Sequence, residues 1–164
     1  MAIHTLSVAN AILDEADSQG IDVTPMQLQK LLYFTNGWHM EIHNGQPILS
    51  DSFEAWQFGP VMPQVYHKFK EYGSKKITGR AMNPLPTNHP WPNTLTEIQK
   101  KLVSEIVGIY GSLSGPRMSN LTHKPGTPWS QTWNGGIGNG NNIPSELIIA
   151  EFKKLRNAQS TATS

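Results

Sequence analysis

Residues 24–73 read TPMQLQKLLYFTNGWHMEIHNGQPILSDSFEAWQFGPVMPQVYHKFKEYG, and the fold turns on how this stretch is divided. Thr24 can cap a helix, Pro25 suits its first position, and Gln27 stands where a capping box takes Glu or Gln. Leu28, Leu31, Leu32, Thr35, Trp38, His39 and Ile42 then recur with the spacing of one helical face. Asn44-Gly45 predicts the stop, because both residues tolerate a left-handed backbone. Pro47 opens an extended piece, Ile48-Leu49, and Ser50-Asp51-Ser52 reads as a turn. The aromatic-rich run from Phe53 to Phe58 reads as a strand broken by Gly59-Pro60. Pro63 starts a further helix with Val65, Tyr66 and Phe69 inward and Gly73 as its end.

Outward from this stretch the pattern stays helical. Residues 2–20 predict an amphipathic helix capped by Thr5 or Ser7, with Val8, Ala9, Ile12, Leu13 and Ala16 as its apolar stripe. Residues 74–93 carry Pro84, Pro86, Pro90 and Pro92, which exclude a helix or a central strand and predict an ordered surface connection. Residues 95–110 form the next helix, with a Thr94/Glu97 capping box and Ile98, Leu102, Val103, Ile106 and Ile109 buried. Residues 114–123 predict a short helix with Met118 and Leu121 inward, and Thr127-Pro128 starts a turn or short helix bearing Trp129 and Trp133. The Gly/Asn run 134–142 predicts a mobile loop. Residues 143–157 make the last helix, on Leu147, Ile148, Phe152 and Leu155, and 158–164 a flexible tail. The expectation is a mainly α protein: a single-domain helical bundle over residues 1–157 with a small two-stranded β-hairpin between its second and third helices.

A chain of 164 residues with no cysteine can bury a sizeable core without disulfides, and thiolate chemistry is excluded. A formal net charge of +1 gives no strong field for nucleic acid or an anionic membrane. No apolar run approaches the roughly 20 residues of a membrane span, and the first residues lack a secretory pattern. The expected location is the cytoplasm.

Several residues carry chemistry in principle. His39 and His43 lie one helical turn apart, a spacing that can bind a metal, but Glu41 stands between them rather than directly after the first His as in zincins. His39 falls on the apolar face, which predicts a hydrogen-bonded core histidine instead. His123 beside Thr122 and Ser130 lacks the nucleophile elbow and the orienting carboxylate of an acyl-transfer site. The glycine run at residues 135–140 lacks the preceding strand and the Lys-Ser/Thr pair of a phosphate loop. Lys68, Lys70, Lys75, Lys76 and Arg80 form a basic cluster, read as a solvated face rather than a nucleic-acid site. Glu54 shares a strand face with Trp56 and Phe58 by alternation, so it is either buried with a partner or part of a binding surface. No catalytic set, metal site or cofactor site is expected.

The stretch also resembles a known family. Lys30, Leu31, Leu32, Tyr33, Gly37, Trp38 and His39, followed by Glu54, Ala55, Trp56, Gly59, Pro60, Val61, Pro63, Val65, Tyr66 and Phe69, are similar in order and spacing to the Panacea antitoxin domain, the SocA-like family also described as phage-associated proteins. Leu121, Thr122, His123, Pro128 and Trp129 resemble that family's late element. The likeness covers most of residues 5–155. It implies a non-enzymatic antitoxin that neutralises a cognate protein toxin by direct binding, and it makes the motif residues mostly structural. The partner-contact set expected on this basis is Glu54, Trp56, Phe58, Tyr66 and Phe69. The alternatives are an adaptor delivering its partner to a Clp-type protease and, in a different class, a small metal-dependent hydrolase. Self-association to a homo-oligomer is left open.

Overall fold

The computed structural model describes residues 2–163, with side chains as far as Gln159. Helix α2 (Pro25–Ile42) is its axis. The capping box forms as its residues predict: Gln27 N donates to Thr24 Oγ1 at 3.3 Å and Thr24 N to Gln27 Oε1 at 2.9 Å. Asn44 and Gly45 close the other end at φ of 54° and 87°. The single apolar stripe is too narrow a reading, however, because every residue from Leu28 to Gly37 is buried. Helices α1 (Thr5–Ser18), α3 (Pro63–Phe69), α4 (Glu97–Tyr110), α5 (Gly115–His123) and α7 (Ser145–Thr163) surround α2. Gly37 has a packing reason: a Cβ there would stand 2.1 Å from the ring of Phe152 on α7. Ile42, expected inside, is mostly exposed near the helix end.

Three buried amides on α1 and α2 take over work that strands usually do. Asn10 donates to Ala81 O at 2.9 Å and accepts from Ala81 N at 2.8 Å. Gln29 does the same for Met62, accepting from its N–H at 2.7 Å and donating to its carbonyl at 3.2 Å. Asn36 Oδ1 accepts from Ile48 N at 3.1 Å and Leu49 N at 3.3 Å. Each amide oxygen accepts from backbone N–H groups that burial would otherwise leave unpaired. The irregular segments are thereby pinned to the helices, and no large sheet is needed.

The sheet content is small, but it falls differently from the expectation. Gly59-Pro60 does not break the hairpin; it is its second strand. β1 (Glu54–Trp56) pairs antiparallel with β2 (Gly59–Val61) around a turn at Gln57-Phe58. Pro60 is tolerated because β2 is an edge strand. The outer edge of β1 is occupied by the Gly/Asn run expected to be mobile: Gly140 N donates to Ala55 O at 2.8 Å and Ala55 N to Asn141 O at 2.9 Å. The proline-rich connection contains a second minimal pair, β3 (Met82–Asn83) with β4 (His89–Pro90).

Helix ends and faces shift in places. His4 Nδ1, not Thr5 or Ser7, caps α1 by accepting from Leu6 N at 3.2 Å, while Thr5 Oγ1 donates to Asp51 Oδ2 at 2.8 Å. The capping box of α4 is Thr96 with Gln99, two residues later than predicted, and Ile98 and Ile109 point outward. Gln99 and Val107 take inward positions there. Leu121 of α5 is also partly exposed, whereas Met118 is fully buried. Helix α6 (Pro128–Trp133) carries Trp129 into the core. α7 continues to Thr163 instead of ending at Asn157, and Ser164 of the expected tail lies outside the described residues. No helix among the described residues is long and apolar enough to cross a membrane.

Candidate functional site

The hairpin and α3 enclose an open cleft of about 250 Å³ against the first turns of α2. Its walls are held by contacts to the backbone of the hairpin rather than to its side chains. Trp129 Nε1 donates to Trp56 O at 2.6 Å, and Ser119 Oγ donates to Phe58 O at 3.4 Å. His123 sets Nε2 3.2 Å from Gln57 O and Nδ1 2.5 Å from Ser119 O, so its ring bridges α5 and the turn. The ring also lies 3.9 Å from that of Trp129. Helices α5 and α6 thus fix the strand path and leave the aromatic side chains of the hairpin free to face the cleft.

The five expected contact residues divide by position. Trp56, Phe58, Tyr66 and Phe69 all line the cleft. Trp56 and Tyr66 meet edge to face with centroids 5.0 Å apart, a favoured aromatic geometry. Phe58, at the turn, is 62% exposed, and Tyr66 is 38% exposed. Phe69 is buried and forms the inner wall. Glu54 is not among the lining residues; its Oε1 accepts from Trp56 Nε1 at 2.9 Å. Glu54 is half-buried, and its carboxylate orients the Trp56 indole.

The cleft also takes in residues outside the expected contact set, among them Met26, Val61 and, above all, Lys30. Lys30 is only 1% exposed, although it is charged at its ordinary pKa. Burial alone pulls its pKa down to about 8, with no carboxylate acting on it. Its ammonium packs against Gly59, where a Cβ would come within 2.8 Å of Nζ. At φ 118° Gly59 also holds a backbone that other residues rarely adopt. The signal available in the sequence was a lysine in the middle of the apolar run from Leu28 to Phe34.

The remaining candidates are committed elsewhere. His39 Nδ1–H donates to Gln46 O at 2.7 Å and Nε2 accepts from the Gln99 amide at 3.2 Å. Burial lowers its pKa most; the bond to Gln46 opposes this and the charge of His43 adds to it. The ring is a neutral core histidine with both nitrogens engaged. Among the described residues, no group of three or more His, Asp or Glu is arranged to hold a metal. In the basic cluster, Arg80 pairs with Asp14 at 2.7 Å and Asp17 at 2.5 Å, and Lys76 with Asp22 at 3.1 Å. Of the other motif residues, Leu31, Tyr33, Gly37, Pro60, Val61, Thr122 and Trp129 are buried. Pro63 opens α3, and Trp38 Nε1 donates to Tyr110 OH at 3.2 Å.

Comparison with known proteins places this arrangement. Residues 28–130 match the family model described as "Antitoxin SocA-like, Panacea domain". The matched span runs from the first buried turn of α2 through the hairpin and cleft to α6. Over 163 residues the chain is 31% identical to the antitoxin SocA of Caulobacter vibrioides (strain NA1000 / CB15N), covering 93% of this chain and 84% of that protein. No solved structure gives a significant match.

Proposed function

Because the chain belongs to the SocA-like antitoxin family with a Panacea domain, we propose that it is a cytoplasmic, non-enzymatic antitoxin that neutralises a cognate protein toxin by binding it through the hairpin–α3 cleft. The observation that carries this reading is the exposed phenyl ring of Phe58 at the tip of an anchored hairpin, beside the half-exposed Met26 and Tyr66. A soluble monomer has little reason to hold three large apolar groups at the mouth of one cleft unless something covers them. Aromatic side chains in a partly formed pocket are the usual anchors of a protein–protein interface.

The test is co-expression with the product of the adjacent open reading frame. Wild type should restore growth and co-purify with that product. Phe58→Ser combined with Tyr66→Ser should lose both effects while keeping the helical circular dichroism of the parent. Rescue and a stable complex in the double variant would move the interface elsewhere. Rescue that requires a Clp-type protease and coincides with loss of the partner would replace inhibition by adaptor-driven degradation.

A further inference from the structure

We propose that Lys30 is the anchor for a carboxylate of the toxin, an Asp or Glu side chain flanked by apolar residues, which enters the hairpin–α3 cleft and binds the buried ammonium. The inference rests on the docking reading above and names the chemistry of its central contact. Lys30 lines the cleft and is 1% exposed, yet no hydrogen-bond acceptor or carboxylate among the described residues engages it. A buried cation without a partner is costly to the free protein, and chains rarely retain one with no use for it.

Charge around the cleft selects the sign of the occupant. The titratable groups lining it are Lys30 of α2, with Tyr66 and Lys70 of α3 and the 3-10 turn that follows. His123 of α5 stands beyond Gly59, with its Cε1 3.1 Å from where a Cβ on that glycine would be. No aspartate or glutamate lines the cleft, and the nearest strand carboxylate, Glu54, is already held by the Trp56 indole. An acidic side chain with apolar neighbours would meet Lys30 with its charge and Trp56, Phe58 and Tyr66 with its flanks. Gly59 fits the same purpose, since any Cβ there would intrude on Nζ. A buried charge pair with one partner supplied by each protein also sets register.

The test has two arms. In the first, indole-3-acetate and indole-3-acetamide are titrated into the protein and followed by NMR at the Gly59 amide and the Trp56 indole N–H. The acid should shift both signals, the amide should act at least about tenfold more weakly, and Lys30→Met should remove the difference. An equal response to acid and amide, or an unchanged preference in Lys30→Met, overturns the anchor whatever the toxin is. In the second arm the adjacent gene's product is titrated against wild type, Lys30→Met and Phe58→Ser. Lys30→Met should weaken binding about 30-fold or more while melting no lower than wild type. One Asp→Asn or Glu→Gln substitution in the toxin should reproduce that loss and not add to it. Binding lost in Phe58→Ser but retained in Lys30→Met overturns the anchor and leaves the docking face standing. No binding by wild type overturns the docking reading and, with it, the assignment to a toxin. Wild-type self-association abolished by Lys30→Met overturns the proposal in favour of a second copy of the chain.

Discussion

Lys30 and His39 are both buried titratable residues on α2, and they are treated in opposite ways. The imidazole is satisfied within the chain: a carbonyl takes its proton on one side and an amide donates to it on the other. The ammonium is walled by a glycine and an aromatic cleft, with burial as the one cause acting on its pKa. His39 therefore belongs to what makes the bundle one structure, because a fully paired polar group specifies its surroundings. Under the proposed anchoring role Lys30 belongs instead to the contact surface, its partner supplied from outside. The contrast separates residues of one motif that look equivalent in sequence.

The largest expected effect tests the scaffold between them. Gln29→Ala leaves the buried Met62 N–H next to the cleft without its acceptor, while Met62 O keeps its bonds from Val65 N and Tyr66 N. With the orphaned donor costing about 1–3 kcal/mol and the space left by a buried side chain adding to it, chemical denaturation should show a loss of about 2–5 kcal/mol. A loss under about 1 kcal/mol would mean that the cleft floor is not held by this amide.

Next comes Lys30→Met, with the opposite sign. The pKa falls from 10.5 to about 8 in the folded chain, so below pH 8 the folded state carries a penalty of about 3 kcal/mol that the unfolded state lacks. Between pH 8 and 10.5 the unfolded chain binds more protons, and wild-type stability should rise relative to Lys30→Met. The free variant should be more stable than wild type near neutrality by up to that amount. A less stable variant would show that Lys30 has an internal partner and would erase the contrast with His39.

How much of this was readable beforehand depends on the kind of interaction. The capping box at Thr24, the Asn44-Gly45 stop and the order of helices follow from local chemistry, and local chemistry is written in adjacent residues. Trp56, Phe58, Tyr66 and Phe69 are named from the aromatic content of the hairpin and the helix after it, and all four line the cleft, although Tyr66, expected inward, is partly exposed. The second hairpin strand was not legible, because Gly59-Pro60 is a breaker by propensity and becomes a strand only through pairing with β1. Ile98 and Ile109 misled for a related reason: periodicity marks an apolar face, but neighbouring helices decide how much of it is covered. The clamps Asn10, Gln29 and Asn36 gave no signal, since their partners are backbone groups 71, 33 and 12 or 13 residues away.

A smaller effect comes from the histidine side of the contrast. His39→Leu fills the space but strands the Gln99 amide and the Gln46 carbonyl, and should cost about 1–3 kcal/mol at pH 7. Its pH signature is more telling. The folded pKa lies below 6.5, so the contribution of neutral His39 is complete above pH 6.5 and is lost as the pH falls from there toward the folded value. The stability gap between wild type and His39→Leu should therefore narrow in acid, and a gap independent of pH would mean that the ring is not held neutral.

The smallest effect on stability is expected at the cleft mouth, and there stability and binding should part company. Phe58 is 62% exposed and its backbone carbonyl, not its ring, is what Ser119 holds. Phe58→Ser therefore leaves the anchor of the turn in place and should change unfolding free energy by no more than about 0.5 kcal/mol. Toxin affinity should nevertheless fall about tenfold or more, because an aromatic anchor at the centre of an interface carries binding energy out of proportion to its role in the free fold. If unfolding and affinity moved together, Phe58 would be on the scaffold side with His39, and the boundary between scaffold and contact surface would have to be redrawn inside the hairpin.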